Sequence, residues 1–159
     1  MTDLIEESQI FADCYPALRR FAAVVGPAEC DPDDLLQEAV YRVMRRQRLD
    51  ELDHPMAYLR RAILNLASDE RRRFAVRRRA LYRLVPDRVD RTDTYPSDLG
   101  DLEYLSPAER AVLYLSEVDG YRYAEIGRML GCSEAAARKR AMNGRRHLHA
   151  ALAEEVGRG

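Results

Sequence analysis

The chain has 159 residues, of which 47% are hydrophobic and 33% are charged. This composition is typical of a soluble globular protein and excludes a largely disordered or fibrous chain. The sequence contains no run of about 18 consecutive apolar residues, the length that a membrane helix needs. Its first residues are acidic, whereas a secretory signal begins with basic ones. We therefore expect a cytoplasmic protein with no membrane insertion.

Charge is segregated along the chain, although the formal net charge is only −1. Residues 1–40 hold 9 acidic residues and 2 Arg, whereas residues 41–83 hold 5 acidic residues and 13 Arg. Residues 84–110 are acidic again, with 7 acids and 3 Arg, and residues 111–159 hold 6 acids and 8 Lys or Arg. The two basic blocks predict contact with a polyanion such as nucleic acid at two places. Alternatively, each block could simply be a solvent-exposed charged face.

The cysteines and histidines do not form a recognisable site. Cys14, Cys30 and Cys132 are an odd number without a C-x-x-C pair, and no histidine joins them at metal-ligand spacing. We expect no disulfide framework, no metal site and no cofactor. The acidic residues at 31–38 have no histidine or metal-ligand partner in sequence reach, so we also expect no catalytic residues and no enzymatic activity.

Helix-start signals punctuate the sequence clearly. Asp31–Asp34, Asp53–Pro55 and Ser106–Glu109 each place a capping residue one or two positions before a proline. Proline is favoured in the first helical turn, so these signals predict helices that begin at about 32, 55 and 107. Upstream, residues 4–25 have an amphipathic pattern, which we interpret as a helix interrupted near Pro16.

Two of these predicted helices have a buried face and a free face. In the helix from 32, the apolar face consists of Leu35, Leu36, Ala39, Val40, Val43 and Met44. Its opposite side carries Asp34, Gln37, Glu38, Tyr41 and Arg45. In the helix from 55, the apolar face consists of Met56, Leu59, Ala62, Ile63, Leu66 and Ala67. Its outward side carries Arg61, Asn65, Ser68, Asp69 and Arg72.

The periodic pattern disappears between two helical stretches. Residues 85–101 are polar, acidic and aperiodic, which is typical of a flexible linker. We therefore predict an all-α protein with an N-terminal helical domain over 1–84, this acidic linker, and a C-terminal helical domain over 102–159.

Residues 123–140 have the spacing of a helix-turn-helix motif. Gly131 stands where a left-handed helix cap is needed, and Ser133 is placed to cap the following helix. Small residues at Ala124 and Gly127 allow the two helices to cross closely. Cys132 occupies a turn position that is usually apolar, so we interpret it as a small buried side chain rather than a redox sensor.

The second helix of this motif has an apolar stripe and a basic side. The stripe consists of Ala137, Ala141, Gly144 and Leu148. The far side and its flanks carry Arg138, Lys139, Arg140, Met142, Asn143, Arg145 and Arg146. Arginine and lysine bind phosphates and guanine edges, and asparagine binds adenine, so the pattern predicts a DNA recognition helix. An amphipathic helix with an arginine-rich solvent face is the alternative, and Gly144 predicts fraying or a bend.

Three segments in order resemble one family. Residues 31–48, with Asp33-Asp34-Leu35-Leu36-Gln37-Glu38, resemble the part of bacterial sigma factors that binds the β′ clamp helices of RNA polymerase. Residues 58–72 are similar to the family's helix that opens and reads the minus-ten promoter element. Residues 105–146 are similar to its C-terminal domain, which reads the minus-thirty-five element and touches the β flap. The resemblance spans roughly 8–155 and matches the small extracytoplasmic-function group.

This resemblance implies roles for the polar residues of each segment. Those that would bind RNA polymerase are Asp33, Asp34, Gln37, Glu38, Tyr41 and Arg45. Those that would contact minus-ten DNA are Tyr58, Arg60, Arg61, Asn65, Asp69, Arg71 and Arg72. Those that would contact minus-thirty-five DNA are Ser133, Glu134, Arg138, Lys139, Arg140, Asn143, Arg145 and Arg146. The loop 48–54 would border a pocket for a flipped base, and family members are commonly held by an anti-sigma factor.

Two other functions fit part of the pattern. A stand-alone helix-turn-helix regulator would bind its operator without polymerase. A polymerase-binding adaptor would keep the β′-binding face but would not read promoters, and the plain Ala135–Ala137 start of the recognition helix suits it.

Overall fold

The computed structural model describes residues 2–84 and 104–158, so the predicted linker lies outside the described residues. The described part contains α-helices and no strand, which confirms the predicted all-α class. The helices are α1 (Thr2–Val25), α2 (Pro32–Met44), α3 (Pro55–Leu84), α4 (Pro107–Leu113), α5 (Tyr123–Leu130) and α6 (Glu134–Arg158). A 3₁₀ turn at Leu49–Glu51 precedes α3, and a π-helical turn at Tyr114–Val118 prolongs α4.

The three predicted helix starts are confirmed, and two of them show the expected caps. The Asp31 carboxylate accepts a hydrogen bond from the Asp33 backbone N–H at 2.7 Å, directly ahead of α2. At α4, the Ser106 hydroxyl accepts from the Glu109 N–H at 3.2 Å, and the Glu109 carboxylate accepts from the Ser106 N–H at 3.0 Å. These bonds satisfy N–H groups that the helix itself leaves unpaired.

Helix α1 runs through Pro16 without a break, so the predicted interruption there is wrong. Proline removes one backbone donor from the helix, and the rest of the hydrogen-bond ladder persists. The residues that follow Pro16 are the ones that pack: Leu18, Phe21 and Val25 are fully buried. Burial of this face outweighs the local cost of the proline.

Helices α1, α2 and α3 form a three-helix bundle around these residues. The predicted apolar face of α2 is confirmed at Leu35, Leu36, Ala39 and Val43, which are all buried. Met44 is 46% exposed, so its predicted burial is wrong; it is the last residue of α2, where the helix leaves the bundle.

Helices α4, α5 and α6 form the C-terminal half, with Leu105, Val112, Leu115 and Ile126 fully buried. In α6 the predicted stripe packs as expected, since Ala137 and Ala141 are fully buried. Helix α6 is continuous through Gly144, so the predicted fraying there is wrong.

The two halves share one apolar cluster in the described conformation. Helix α3 packs against α4 and α5, and α1 packs against α4. The rings of Phe21 and Tyr114 lie 6.3 Å apart across this junction, and Leu64 of α3 is only 7% exposed. The predicted domains are therefore in direct contact with each other.

Candidate nucleic-acid interface

The outer face of α2 is exposed and chemically mixed. Asp34, Gln37, Tyr41 and Arg45 follow one another along it at helical spacing, and all four are exposed. The Arg45 guanidinium lies 5.8 Å from the centroid of the Tyr41 ring, a cation–π distance. An aromatic ring beside acidic, amide and basic groups is a surface suited to binding another protein.

Two of the predicted polymerase-binding carboxylates have partners within the chain. Asp33 accepts a hydrogen bond from the Tyr15 hydroxyl at 2.5 Å and lies 3.1 Å from Arg19 Nε. The Tyr15 hydrogen bond holds the pKa of Asp33 below its usual value, and the same bond raises the pKa of Tyr15. Glu38 pairs with Arg42 at 2.6 Å on the exposed surface. Asp33 thus holds α2 against α1, whether or not it also contacts polymerase.

A groove of about 260 Å³ lies between α2 and α3. Helix α3 contributes Tyr58, Arg61 and Asn65, three of the predicted minus-ten residues. Arg42 of α2 and Arg46 of the turn that follows α2 complete the groove, and the sequence-based prediction missed both. Their i, i+4 spacing across the C-terminal end of α2 is the signal that could have found them.

The chemistry of this groove suits single-stranded nucleic acid. The Tyr58 ring, 37% exposed, offers a plane on which a base can stack. The arginines at 42, 46 and 61 offer positive charge to phosphates, and the Asn65 amide offers both a donor and an acceptor to a base edge.

Arg60 does not line this groove, although the sequence predicts it as a minus-ten contact. Its side chain is 3% exposed and lies between the halves, with Nη2 3.2 Å from Asp119 Oδ2. Its guanidinium carbon lies 5.9 Å from the Phe21 ring centroid and 5.5 Å from that of Tyr121. Nη1 also lies 3.5 Å from the sulfur of Met129. In this conformation Arg60 joins the two halves.

Two further minus-ten candidates also reach the C-terminal half. Arg61 Nη2 donates to the carbonyl of Arg128 at 3.1 Å, and its guanidinium lies against Gly131, where an added Cβ would be 2.9 Å from Arg61 Cζ. Arg71 Nη1 donates to the carbonyl of Leu105 at 2.8 Å. Two other minus-ten candidates, Asp69 and Arg72, lie on the exposed surface, where Arg72 Nη2 is 3.5 Å from Asp69 Oδ1.

The predicted loop at 48–54 is built around the turn before α3. Leu49 is buried, and its N–H donates to the carboxylate of Glu7 at 3.1 Å. His54 at its end lines a cavity of about 510 Å³ that Tyr121 and Met129 close from the C-terminal half. The loop therefore faces α5 in this conformation.

The helix-turn-helix has the predicted local geometry. Gly131 adopts φ 72° and ψ 38°, the left-handed cap that ends α5. The Ser133 hydroxyl accepts from the Ala136 N–H at 3.1 Å and caps α6. A Cβ at Gly127 would lie 2.6 Å from the carbonyl oxygen of Cys132, so only glycine permits this turn. Cys132 packs against the core, but it is half-buried rather than buried as predicted.

The polar side of α6 is exposed, and most of its charged groups have local partners. Arg138 pairs with Glu134 at 2.7 Å, and Arg146 donates to the Asn143 side chain at 3.2 Å. Arg145 pairs with Glu117 and donates to the Tyr123 hydroxyl at 3.1 Å, and these hydrogen bonds raise its pKa further. The other candidates are exposed or half-buried: Ser133, Lys139 and Arg140.

Within residues 2–84 and 104–158, no group of three His, Cys, Asp or Glu side chains is placed to hold a metal ion. None of the helices in the same ranges has the length and apolar character needed to cross a bilayer.

Known proteins are similar in sequence to the helix-turn-helix and to much of this chain. Residues 102–148 match the family model described as sigma-70, region 4, a helix-turn-helix DNA-binding region. The ECF RNA polymerase sigma factor SigE of Mycolicibacterium smegmatis is 32% identical over 136 residues, which cover 78% of this chain and 52% of that protein. The chain thus spans about half the length of this curated relative.

A solved structure shares the fold. The sigma factor RpoE, crystallised in complex with the anti-sigma factor NepR from Bartonella quintana, superposes with a TM-score of 0.57 and 20% identity. The superposition covers 91% of this chain and 95% of that one. The protein is thus a helical protein with a DNA-binding helix-turn-helix. Its C-terminal half resembles region 4 of the sigma-70 family, and the chain is similar to an extracytoplasmic-function sigma factor.

Proposed function

We propose that this protein is a sigma factor that binds core RNA polymerase in the cytoplasm, directs it to specific promoters and initiates transcription there. The α2–α3 groove carries the proposal. It combines an aromatic plane at Tyr58, an amide at Asn65 and positive charge at Arg42, Arg46 and Arg61. Sequence-tolerant stacking and phosphate contacts are what capture of an opened DNA strand requires.

The exposed face of α2 would provide the polymerase contact, toward the β′ clamp helices. Asp34, Gln37, Tyr41 and Arg45 are free to meet a partner while Asp33 secures the helix from behind. The C-terminal half would bind the minus-thirty-five element through α6 and would touch the β flap.

Promoter melting needs no catalytic group in this proposal. Unstacking a base costs a few kcal/mol, and stacking on an aromatic ring with phosphate contacts offsets that cost. The polymerase supplies the chemistry of RNA synthesis, and the sigma factor supplies positioning.

We also propose that an anti-sigma factor regulates this protein. The proposal is supported by the shared fold with RpoE, which was crystallised with the anti-sigma factor NepR. Such a partner would cover the α2 face or the DNA-binding residues and keep the protein from the polymerase.

Promoter binding with a fluorescent base analogue in the minus-ten element tests this function. The protein alone, core polymerase alone and the mixture are compared on the same duplex. The proposal expects tight binding and unstacking of the analogue only with the mixture. Tight operator binding by the protein alone would favour the stand-alone regulator, and a polymerase complex without promoter binding would favour the adaptor.

A further inference from the structure

Helix α3 extends well beyond the bundle and carries a dense positive charge. Residues 71–84 contain seven arginines and no acidic residue, and residues 75–84 are all exposed. At 1.5 Å per residue, the 30-residue helix is about 45 Å long. Its last turns project from the body of the protein as a basic rod.

Three of these arginines continue the face that lines the α2–α3 groove. At 100° per residue, one arc of about 60° around the helix axis contains Tyr58, Arg61, Asn65, Arg72, Arg79 and Arg83. Arg79 and Arg83 lie about 32 and 38 Å along the axis from Tyr58, close to one turn of a DNA duplex. The groove and the rod therefore present one continuous surface.

The arginines of α3 differ in their partners within the chain, and Arg72, on this face, lies 3.5 Å from Asp69. Arg79 and Arg83 make no hydrogen bond or ion pair with any described residue. Off the face, Arg73 pairs with Glu70 at 2.8 Å, Arg78 pairs with Glu29 at 3.3 Å, and Arg77 lies over the Phe74 ring at 5.6 Å. Among the described residues, Arg79 and Arg83 are thus aligned with the groove and have no acidic partner.

We propose that Arg79 and Arg83 form a phosphate-binding extension of the minus-ten interface, which contacts the duplex about one turn away from the base that Tyr58 stacks on. A polyanion is the occupant that fits two exposed arginines without an ion pair among the described residues, and their alignment with the groove makes it the same DNA molecule. The inference rests on the proposed function.

Salt dependence of promoter binding by the holoenzyme tests this extension. Each phosphate contact adds about 0.9 to the slope of log affinity against log salt concentration. The double variant R79A/R83A should therefore lower the slope by about 2. The matched control R73A/R77A removes the same charge from the same helix on another face and should leave the slope nearly unchanged.

The outcomes separate the two claims. An unchanged slope for R79A/R83A, or an equal fall in both variants, would overturn the extension while wild-type promoter binding upholds the proposed function. Absence of promoter binding by the wild-type holoenzyme would overturn both. Alanine has a slightly higher helix propensity than arginine, so the variants should keep the fold. Circular dichroism checks this.

A second, independent observation concerns the junction between the halves. Arg60, Arg61 and Arg71 of α3 each bind a group of the C-terminal half, at 3.2, 3.1 and 2.8 Å. In the opposite direction, Arg110 of α4 donates to the carbonyl of Gly26 at 3.1 Å. Three predicted minus-ten residues thus serve as interdomain contacts.

We infer that this closed arrangement is autoinhibitory: Arg60, which is buried between the halves, cannot bind promoter DNA at the same time. Any ligand that needs Arg60 has to separate the halves first. Its apparent affinity is then reduced by the fraction of molecules that are open.

Asp119 offers a test, because it holds Arg60 and is not among the predicted DNA or polymerase contacts. D119A leaves a buried cation without its partner in the closed form, so it should favour opening. Small-angle scattering of the free protein should show a larger radius of gyration, and the affinity of the free protein for a single-stranded minus-ten oligonucleotide should rise by about fivefold or more. E154A, which removes the same charge from an exposed position of α6, is the control.

Unchanged compactness of the free protein, or expansion without tighter binding of the minus-ten oligonucleotide, would overturn the autoinhibitory role. Because D119A could also loosen the C-terminal fold, circular dichroism and the milder variant D119N are measured beside it. D119N should give the same changes with smaller amplitude, since a neutral amide still accepts one hydrogen bond.

Discussion

The Arg60 guanidinium lies 3.2 Å from the Asp119 carboxylate and joins α3 to the turn that precedes α5. The arginine is 3% exposed, and Asp119 is 24% exposed, so water screens the pair only in part. The junction between the halves is therefore electrostatic as well as apolar.

A double-mutant cycle should measure this coupling directly. R60M and D119A should each lower the free energy of unfolding in urea, and the double variant should lose about 1–2 kcal/mol less than the sum of the single losses. Additive losses would contradict a direct interaction between the two side chains.

Gly144 is required by packing, although glycine is a poor helix former. An added Cβ would lie 2.8 Å from Leu113 Cδ1 and 3.3 Å from Glu109 Cβ. We expect G144A to lower the free energy of unfolding by about 1–3 kcal/mol, because overpacking outweighs the gain in helix propensity. Thermal unfolding measures the change.

Gly157 provides the matched control in the same helix, since an added Cβ there meets nothing within 4 Å. G157A should be neutral or stabilising by up to about 1 kcal/mol. A G144A variant as stable as G157A would show that α6 does not need this close approach to α4.

These packing relationships mark the limit of what the sequence predicts. Caps and periodicity predict the helix starts and the turn at Gly131, because those signals are local. The packing of the halves against each other is not local, so Arg60 appears in the sequence as one more polar residue of α3. Its burial depends on Asp119, which lies 59 residues away along the chain.

The groove shows the same limit. Its α3 side follows from the outward face of one helix, and Tyr58, Arg61 and Asn65 are found that way. Its α2 side depends on how two helices pack, so Arg42 and Arg46 emerge only from the structure.

A substitution on the exposed face of α2 should weaken polymerase binding without lowering the stability of the protein. Y41A should weaken association with core polymerase by about tenfold or more, since exposed aromatic residues often dominate interfaces. The free energy of unfolding should stay within about 0.5 kcal/mol of wild type. R20A, which changes an exposed residue of α1, serves as the control. Equal affinities of Y41A and R20A for core polymerase would contradict a role of α2 in the interface.

Asp33 predicts a pH dependence of stability. Its pKa is lowered in the folded state, mainly by the Tyr15 hydrogen bond. A lowered pKa contributes stability above the unfolded value of 3.8, and that contribution is lost as the pH falls below it. The Tyr15 pKa is raised, so the tyrosine contributes below its unfolded value of 10.0 and loses this as the pH rises further.

The variant D33N should therefore flatten both the acid and the alkaline ends of the stability curve, measured by urea unfolding across pH. A D33N curve parallel to that of wild type at both ends would show that this hydrogen bond does not link folding to protons.

Arg46 and Asn65 should affect promoter binding in different ways. R46A should weaken holoenzyme binding to all promoters alike and lower the salt slope by about 1, because it removes a phosphate contact. N65A should instead change the preference among minus-ten sequences with the slope retained, because an amide binds a base edge. Competition binding with a promoter library distinguishes them, and identical profiles would contradict the assigned roles.

Run-off transcription with purified core polymerase on a promoter library tests the central claim most directly. We expect transcripts from a specific subset of templates only when the protein is present, and their loss in Y41A and in a variant lacking the Tyr58 ring. Binding to core polymerase without initiation from any template would contradict the sigma-factor function.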